Sequence, residues 1–178
     1  MRLRNLIASA LVALAVSACG EDKVAALPPP QEPGPNAIGT VCRMSLSEHT
    51  GPKGQVFVRS QDAPLWFSSV RDTFTWLLVD DGAGKNFAAI YVNDMARASN
   101  WAKPEAGAWV DARKAHYVVG STKGADMGGS ELVPFSGRAD ADAFAQAHGG
   151  IVVSFDKITR DLLMKTDQPA PHGGGHHG

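Results

Sequence analysis

The chain has 178 residues, 17 basic side chains against 18 acidic ones, and a net charge of -1 with histidine neutral. No run of lysine and arginine is long enough to track a phosphate backbone, which excludes nucleic acid as the expected partner. The length suits one domain with a packed core, or two small lobes, and the only cysteines are Cys19 and Cys42.

Arg2 and Arg4 precede an apolar stretch, residues 6–18, that is too short for a comfortable membrane span, so residues 1–18 read as a signal peptide. Val16-Ser17-Ala18-Cys19 resembles the lipobox of bacterial lipoproteins. That resemblance implies a lipidated Cys19 and a domain tethered at the periplasmic face of a bacterial membrane, inner or outer; ordinary cleavage after an A-x-A-like site is the plainer alternative. Residues 19–37 are rich in proline and glycine and read as a stiff, solvated linker. The folded part is expected over 38–166. Beyond it, residues 167–178 form a glycine-spaced tail whose His172, His176 and His177 either bind divalent metal loosely or merely solubilise the end.

Within 38–166 strand and helix alternate. Residues 55–59 (QVFVR) alternate apolar and polar positions as a half-buried strand does, and 65–67 follow a turn at Asp62-Ala63-Pro64. A helix fits 69–78, with Val70, Phe74 and Leu77 or Leu78 on one face and Ser68 or Ser69 as N-cap. Residues 87–93 (FAAIYVN) are a strand, closed by the turn region ASNWAKPEAG. The second half offers strands at 109–111, 116–121 and 132–135, a helix at 139–148 ended by Gly149-Gly150, a strand at 151–155 and a short amphipathic helix in ITRDLLMK. Both halves run strand, strand, helix, strand, which predicts an α+β fold of two related lobes, about 38–106 and 107–166.

The residues suited to chemistry are sulfurs. In an oxidising compartment an unpaired cysteine points to an intermolecular bridge or to a thiol kept for chemistry. If Cys42-Arg43-Met44 is extended, the thiol and the thioether share one face, and two soft donors so placed suit Cu(I); packing roles for both are the plain alternative. Zinc more often shows four Cys or His ligands at recognisable spacings. Met127, between Asp126 and Gly128-Gly129, falls on a loop, as a third sulfur ligand or as a residue folding onto the core. Asp94 and Met95 end a predicted strand. His49, His116 and His148 are isolated, and satisfied polar roles suit each. No G-x-S-x-G, H-E-x-x-H, phosphate loop or C-x-x-C is present, so the familiar enzyme motifs are missing.

The ordered set C-R-M (42–44), H-T-G-P-K-G-Q (49–55), P-L-W-F (64–67), V-R-D-T-F (70–74), V-N-D-M (92–95), W-V-D-A-R-K-A-H-Y-V-V-G-S (109–121), D-M-G (126–128), P-F (134–135) and A-H-G-G (147–150) resembles the NosL family. The resemblance implies a monomeric, lipid-anchored Cu(I)-binding metallochaperone, not an enzyme, with two α+β lobes in a fold related to organomercurial lyase. It implies delivery of copper for the copper centres of nitrous oxide reductase, to that enzyme or its membrane assembly complex, in denitrification. Carried over by position, the ligands are Cys42, Met44 and Met127, with His49, Asp94 or Met95 as candidates to complete the site. The competing readings are a structural or partner-binding lipoprotein without a metal site, and a cysteine-dependent lyase-like enzyme; the latter would need a second thiol, which the chain beyond Cys19 lacks.

Overall fold

The computed structural model describes residues 27–59, 61–79, 86–124 and 130–166. The expectations for the leader, Cys19, Met127 and the histidine tail fall outside those residues. The first sheet has the order β2-β1-β3-β4, built from β1 (Gly54–Val58), β2 (Leu65–Phe67), β3 (Phe87–Asn93) and β4 (Trp109–Asp111). Every pairing in it is antiparallel. All five residues of β1 are buried, because this strand lies between β2 and β3 and beneath α1 (Val70–Leu78). Ser69 caps α1 by accepting a hydrogen bond from Asp72 N, and the predicted apolar face, Val70, Phe74 and Leu77, is the face that is buried.

The second sheet has the order β6-β5-β7, from β5 (His116–Gly124), β6 (Ser130–Phe135) and β7 (Ile151–Ser154), again antiparallel. Across it lies α2 (Arg138–His148), ended by Gly149 at φ 74°. The last helix is α3 (Arg160–Thr166). The predicted α+β order, strand-strand-helix-strand, recurs as β1-β2-α1-β3 and β5-β6-α2-β7, with β4 between the two.

β5 runs three residues past its predicted end. The apolar alternation stops at Ser121, but backbone pairing resumes after an irregular register, with Gly124 opposite Ser130. A second difference concerns the lobes. β4, placed in the second lobe by a division near residue 106, pairs with β3 of the first sheet. One core then spans both sheets. Val56, Phe67 and Val92 of the first, Val70 and Phe74 of α1, Tyr117, Val119 and Leu132 of the second, and Leu163 of α3 pack in a single cluster. A smaller cluster of Val118, Val133, Phe135 and Ala141 fills the space between the second sheet and α2.

The stretch expected to be a solvated linker meets the first sheet from Pro28 onward. Tyr91 OH donates to Pro28 O at 2.8 Å, Gln55 exchanges two hydrogen bonds with the backbone of Gln31, and Glu32 accepts from Trp109 Nε1 and Gly107 N. The buried amide of Gln55 is satisfied in this way. Among the described residues no helix is long and apolar enough to cross a membrane.

Candidate metal centre

Cys42 sits at the tip of a tight chain reversal riding on the edge strand β2. Ile38 bridges Ser45 in antiparallel fashion, Gly39 N donates to Met44 O at 2.9 Å, and Arg43 N donates to Gly39 O at 2.9 Å. Gly39 also bridges Trp66 of β2, and Thr40 N donates to Trp66 O at 2.7 Å. Closing so short a loop forces Arg43 into the left-handed region, at φ 60°. Residues 42–44 thus form a turn and not the extended segment on which a shared face for the two sulfurs was conditional, so alternation along a strand does not place them. Instead the thiol of Cys42 is half-buried while Met44 stands outside it, 41% exposed, beside exposed Ile38 and Val41.

A single 3-10 turn, Leu46–Glu48, follows, pinned by buried Leu46 and by the bond from Leu46 N to Ala37 O. It ends at His49, whose ring is buried, with Nε2 3.6 Å from Cys42 Sγ. The turn and the 3-10 segment together bring a thiol and an imidazole seven positions apart into contact. The segment is neither a continuous helix nor a strand, so no regular period sets that contact, and the resemblance offered His49 only as one of three candidates to complete the site. The chain after His49 is held firmly. Lys53 Nζ donates to Thr50 O and Gly51 O, and Lys53 exchanges backbone-centred hydrogen bonds with Asn93 at the end of β3.

The other predicted candidates go elsewhere. Asp94 is buried, and its Oδ1 accepts from Ala96 N at 3.1 Å and Ser136 N at 3.0 Å. Met95 packs into the smaller core with Trp101 and Phe144, and its N donates to Pro134 O. His116 lies in β5, where its backbone faces Phe135 and Ser154, and the His148 ring packs on Phe144 with centroids 4.5 Å apart. Among the described residues no group of three or more His, Cys, Asp and Glu side chains converges. The donors that do converge are Cys42 and His49, a soft sulfur and a borderline nitrogen, suited to a soft metal such as copper more than to hard cations; Met44 lies on the same turn with its side chain exposed.

Met127 belongs to residues 125–129, outside the described ones. On β5, Lys123 Nζ lies 5.2 Å from the Trp101 ring centroid, and Gly51 N donates to Trp101 O. A groove of about 600 Å³, lined by Leu46, His49, Lys53 and Trp109 among others, opens beside the imidazole.

The NosL family model matches residues 30–163. The chain is 43% identical over 164 residues to the copper-binding lipoprotein NosL of Achromobacter cycloclastes, covering 92% of this chain and 83% of that protein. It is 38% identical over 136 residues to the copper-binding lipoprotein NosL of Stutzerimonas stutzeri, covering 76% of this chain and 68% of that protein. Among solved structures, the crystal structure of the copper chaperone NosL from Shewanella denitrificans superposes with a TM-score of 0.68 at 34% identity, covering 75% of this chain and 99% of that one. This chain belongs to the NosL family.

Proposed function

We propose that this protein is a Cu(I)-binding metallochaperone, lipid-anchored through Cys19 at the periplasmic face of the membrane, that hands copper to nitrous oxide reductase or to its membrane assembly complex. The observation that carries the metal reading is the thiol of Cys42 set 3.6 Å from the buried imidazole of His49, on a turn that also presents Met44 to solvent. The relatives named copper-binding lipoprotein and copper chaperone support the same reading.

In this reading Cys42 supplies the one anionic donor and gives up its proton when the metal enters. Met44 and Met127 are neutral thioether ligands. His49, in contact with Cys42 Sγ, is the fourth donor or the group that orients the thiolate. One thiolate and neutral partners leave a Cu(I) site with little net charge. The exposed side chains of Met44, Val41 and Ile38 leave it approachable. A recipient's sulfur or nitrogen ligand then enters at that exposed edge, and copper passes by exchange through a shared intermediate, without leaving free ion. Cys42 is a ligand here and not a nucleophile.

Anaerobic titration with Cu(I) against a competing chelator tests the ligand set in wild type and in Cys42→Ser, Met44→Leu, Met127→Leu and His49→Ala. Wild type is expected to take up one Cu(I). Cys42→Ser should lose competitive binding, and each methionine variant should weaken it roughly 10- to 100-fold, the range seen when a supporting metal interaction is lost. Wild-type protein that fails to compete, or affinities unchanged by the substitutions, would leave the sulfurs as packing residues.

A further inference from the structure

We propose that Gly39 is a positioning residue for the metal centre, glycine being required there because the Cys42 sulfur occupies the space a side chain would take. This rests on the reading of Cys42 as a copper ligand. A Cβ built on Gly39 would meet Cys42 Sγ at 2.5 Å, whereas its next neighbours, Leu46 Cδ1 and Met44 O, are both at an ordinary 3.8 Å. Gly39 does not adopt the left-handed backbone that usually explains a glycine; the non-glycine residue that does so in this turn is Arg43. Its requirement comes from one atom, the thiol.

The surroundings make that seat definite. The backbone of Gly39 is fixed on three sides, by its N–H on Met44 O, by its C=O accepting from Arg43 N, and by the bridge to Trp66 of β2. With the backbone held, the floor under Sγ is fixed, and the thiol rests between that floor and His49 Nε2 at 3.6 Å. A methyl group at position 39 leaves the backbone little freedom to retreat. Relief comes from the side chain that rotates about one bond, Cys42, whose χ1 has other staggered wells. Rotation takes the sulfur away from His49 and from the point where the donors converge, while the hydrogen bonds that close the turn are kept. Alanine in an allowed backbone conformation also lowers the entropy of the unfolded chain, which offsets the lost contact.

The test is Gly39→Ala in the full chain, with Cys19→Ala in all variants so that Cys42 is the only thiol. Three readouts are needed: chelator competition for Cu(I), the thermal midpoint without metal, and, in metal-free protein carrying labelled cysteine, the nuclear Overhauser contact between Cys42 Hβ and the His49 ring. The expected result is Cu(I) binding weakened roughly 10- to 100-fold, as for lost ligand orientation, a midpoint lowered by less than about 3 °C, and loss of the Cys42–His49 contact. Wild-type affinity with the contact retained would overturn the proposal. So would a variant that melts far lower or fails to fold, because the crowding would then be taken up by the backbone and not by the thiol. Cys42→Ser measured alongside separates the two levels: if it binds Cu(I) as tightly as wild type, the copper reading fails, and the metal-free contact alone decides whether Gly39 seats the sulfur.

Discussion

A buried carboxylate that accepts two backbone N–H groups is a structural tie, and Asp94 has that arrangement. Its Oδ1 joins the turn after β3, through Ala96 N, to the end of β6, through Ser136 N. Removing it leaves two donors in a nearly dry place, where an unsatisfied group costs about 1–3 kcal/mol. Asp94→Ala is therefore expected to lower the free energy of unfolding by about 2–3 kcal/mol in urea titrations while leaving Cu(I) affinity unchanged. Weaker copper binding without a stability loss would return Asp94 to the ligand set. The sequence marked Asp94 and Met95 as worth attention because polar and soft groups end a strand there. Their duty was not legible, since the partners, Ser136 and Pro134, lie about forty residues further along the chain.

At the scale of elements, α1 is the joint between the two sheets. Glu131 of β6 is buried and accepts from Arg71 N at 3.0 Å in the first turn of α1, while the Arg71 guanidinium reaches Ser130 O, Leu163 O and Thr166 Oγ1. Burial pushes the Glu131 carboxyl up to about 7; its hydrogen bonds from Leu132 N and Arg71 N and the charge of Lys53 act the other way, and the charge of Asp72 adds to the rise. Between the ordinary value of 4.5 and 7 the folded chain keeps a proton that the unfolded chain has released. The linked stability is thus complete below 4.5 and is lost as the pH rises through 7. Its size is on the order of 3 kcal/mol. Glu131→Gln keeps an acceptor for Arg71 N and cannot ionise, so its stability should be flatter than wild type between pH 4.5 and 8, measured as urea midpoints. Parallel curves for the two proteins would show that Glu131 does not titrate in that window.

For the whole molecule, the two repeats are not independent units, because α1, both sheets and α3 share one core. The segment before residue 38 belongs to the same body: Pro28, Gln31 and Glu32 satisfy Tyr91, Gln55, Gly107 and Trp109. A chain beginning at Leu27 should melt where the longer chain does. One beginning at Ile38 leaves the buried amide of Gln55 unsatisfied, and its midpoint should fall by roughly 5–10 °C in thermal denaturation. Equal midpoints would make 27–37 a spacer in energetic terms, as its composition suggested.

The sequence by itself determined the elements and their order. Burial of one face leaves a local mark: Val70, Phe74 and Leu77 at helical spacing, FAAIYVN as a strand, glycines after α2. It also singled out Cys42 and Met44 as candidate soft donors, since an unpaired thiol beside a thioether is a local pattern. The tertiary structure alone decided that Cys42 meets His49, that β4 joins the first sheet, that Gly39 lies beneath a sulfur, and that Asp94 and Met95 hold the body together. Each of these depends on a turn conformation or on pairing between distant segments. Such contacts are fixed when the whole chain closes its hydrogen bonds and core at once, and no short window of residues records them.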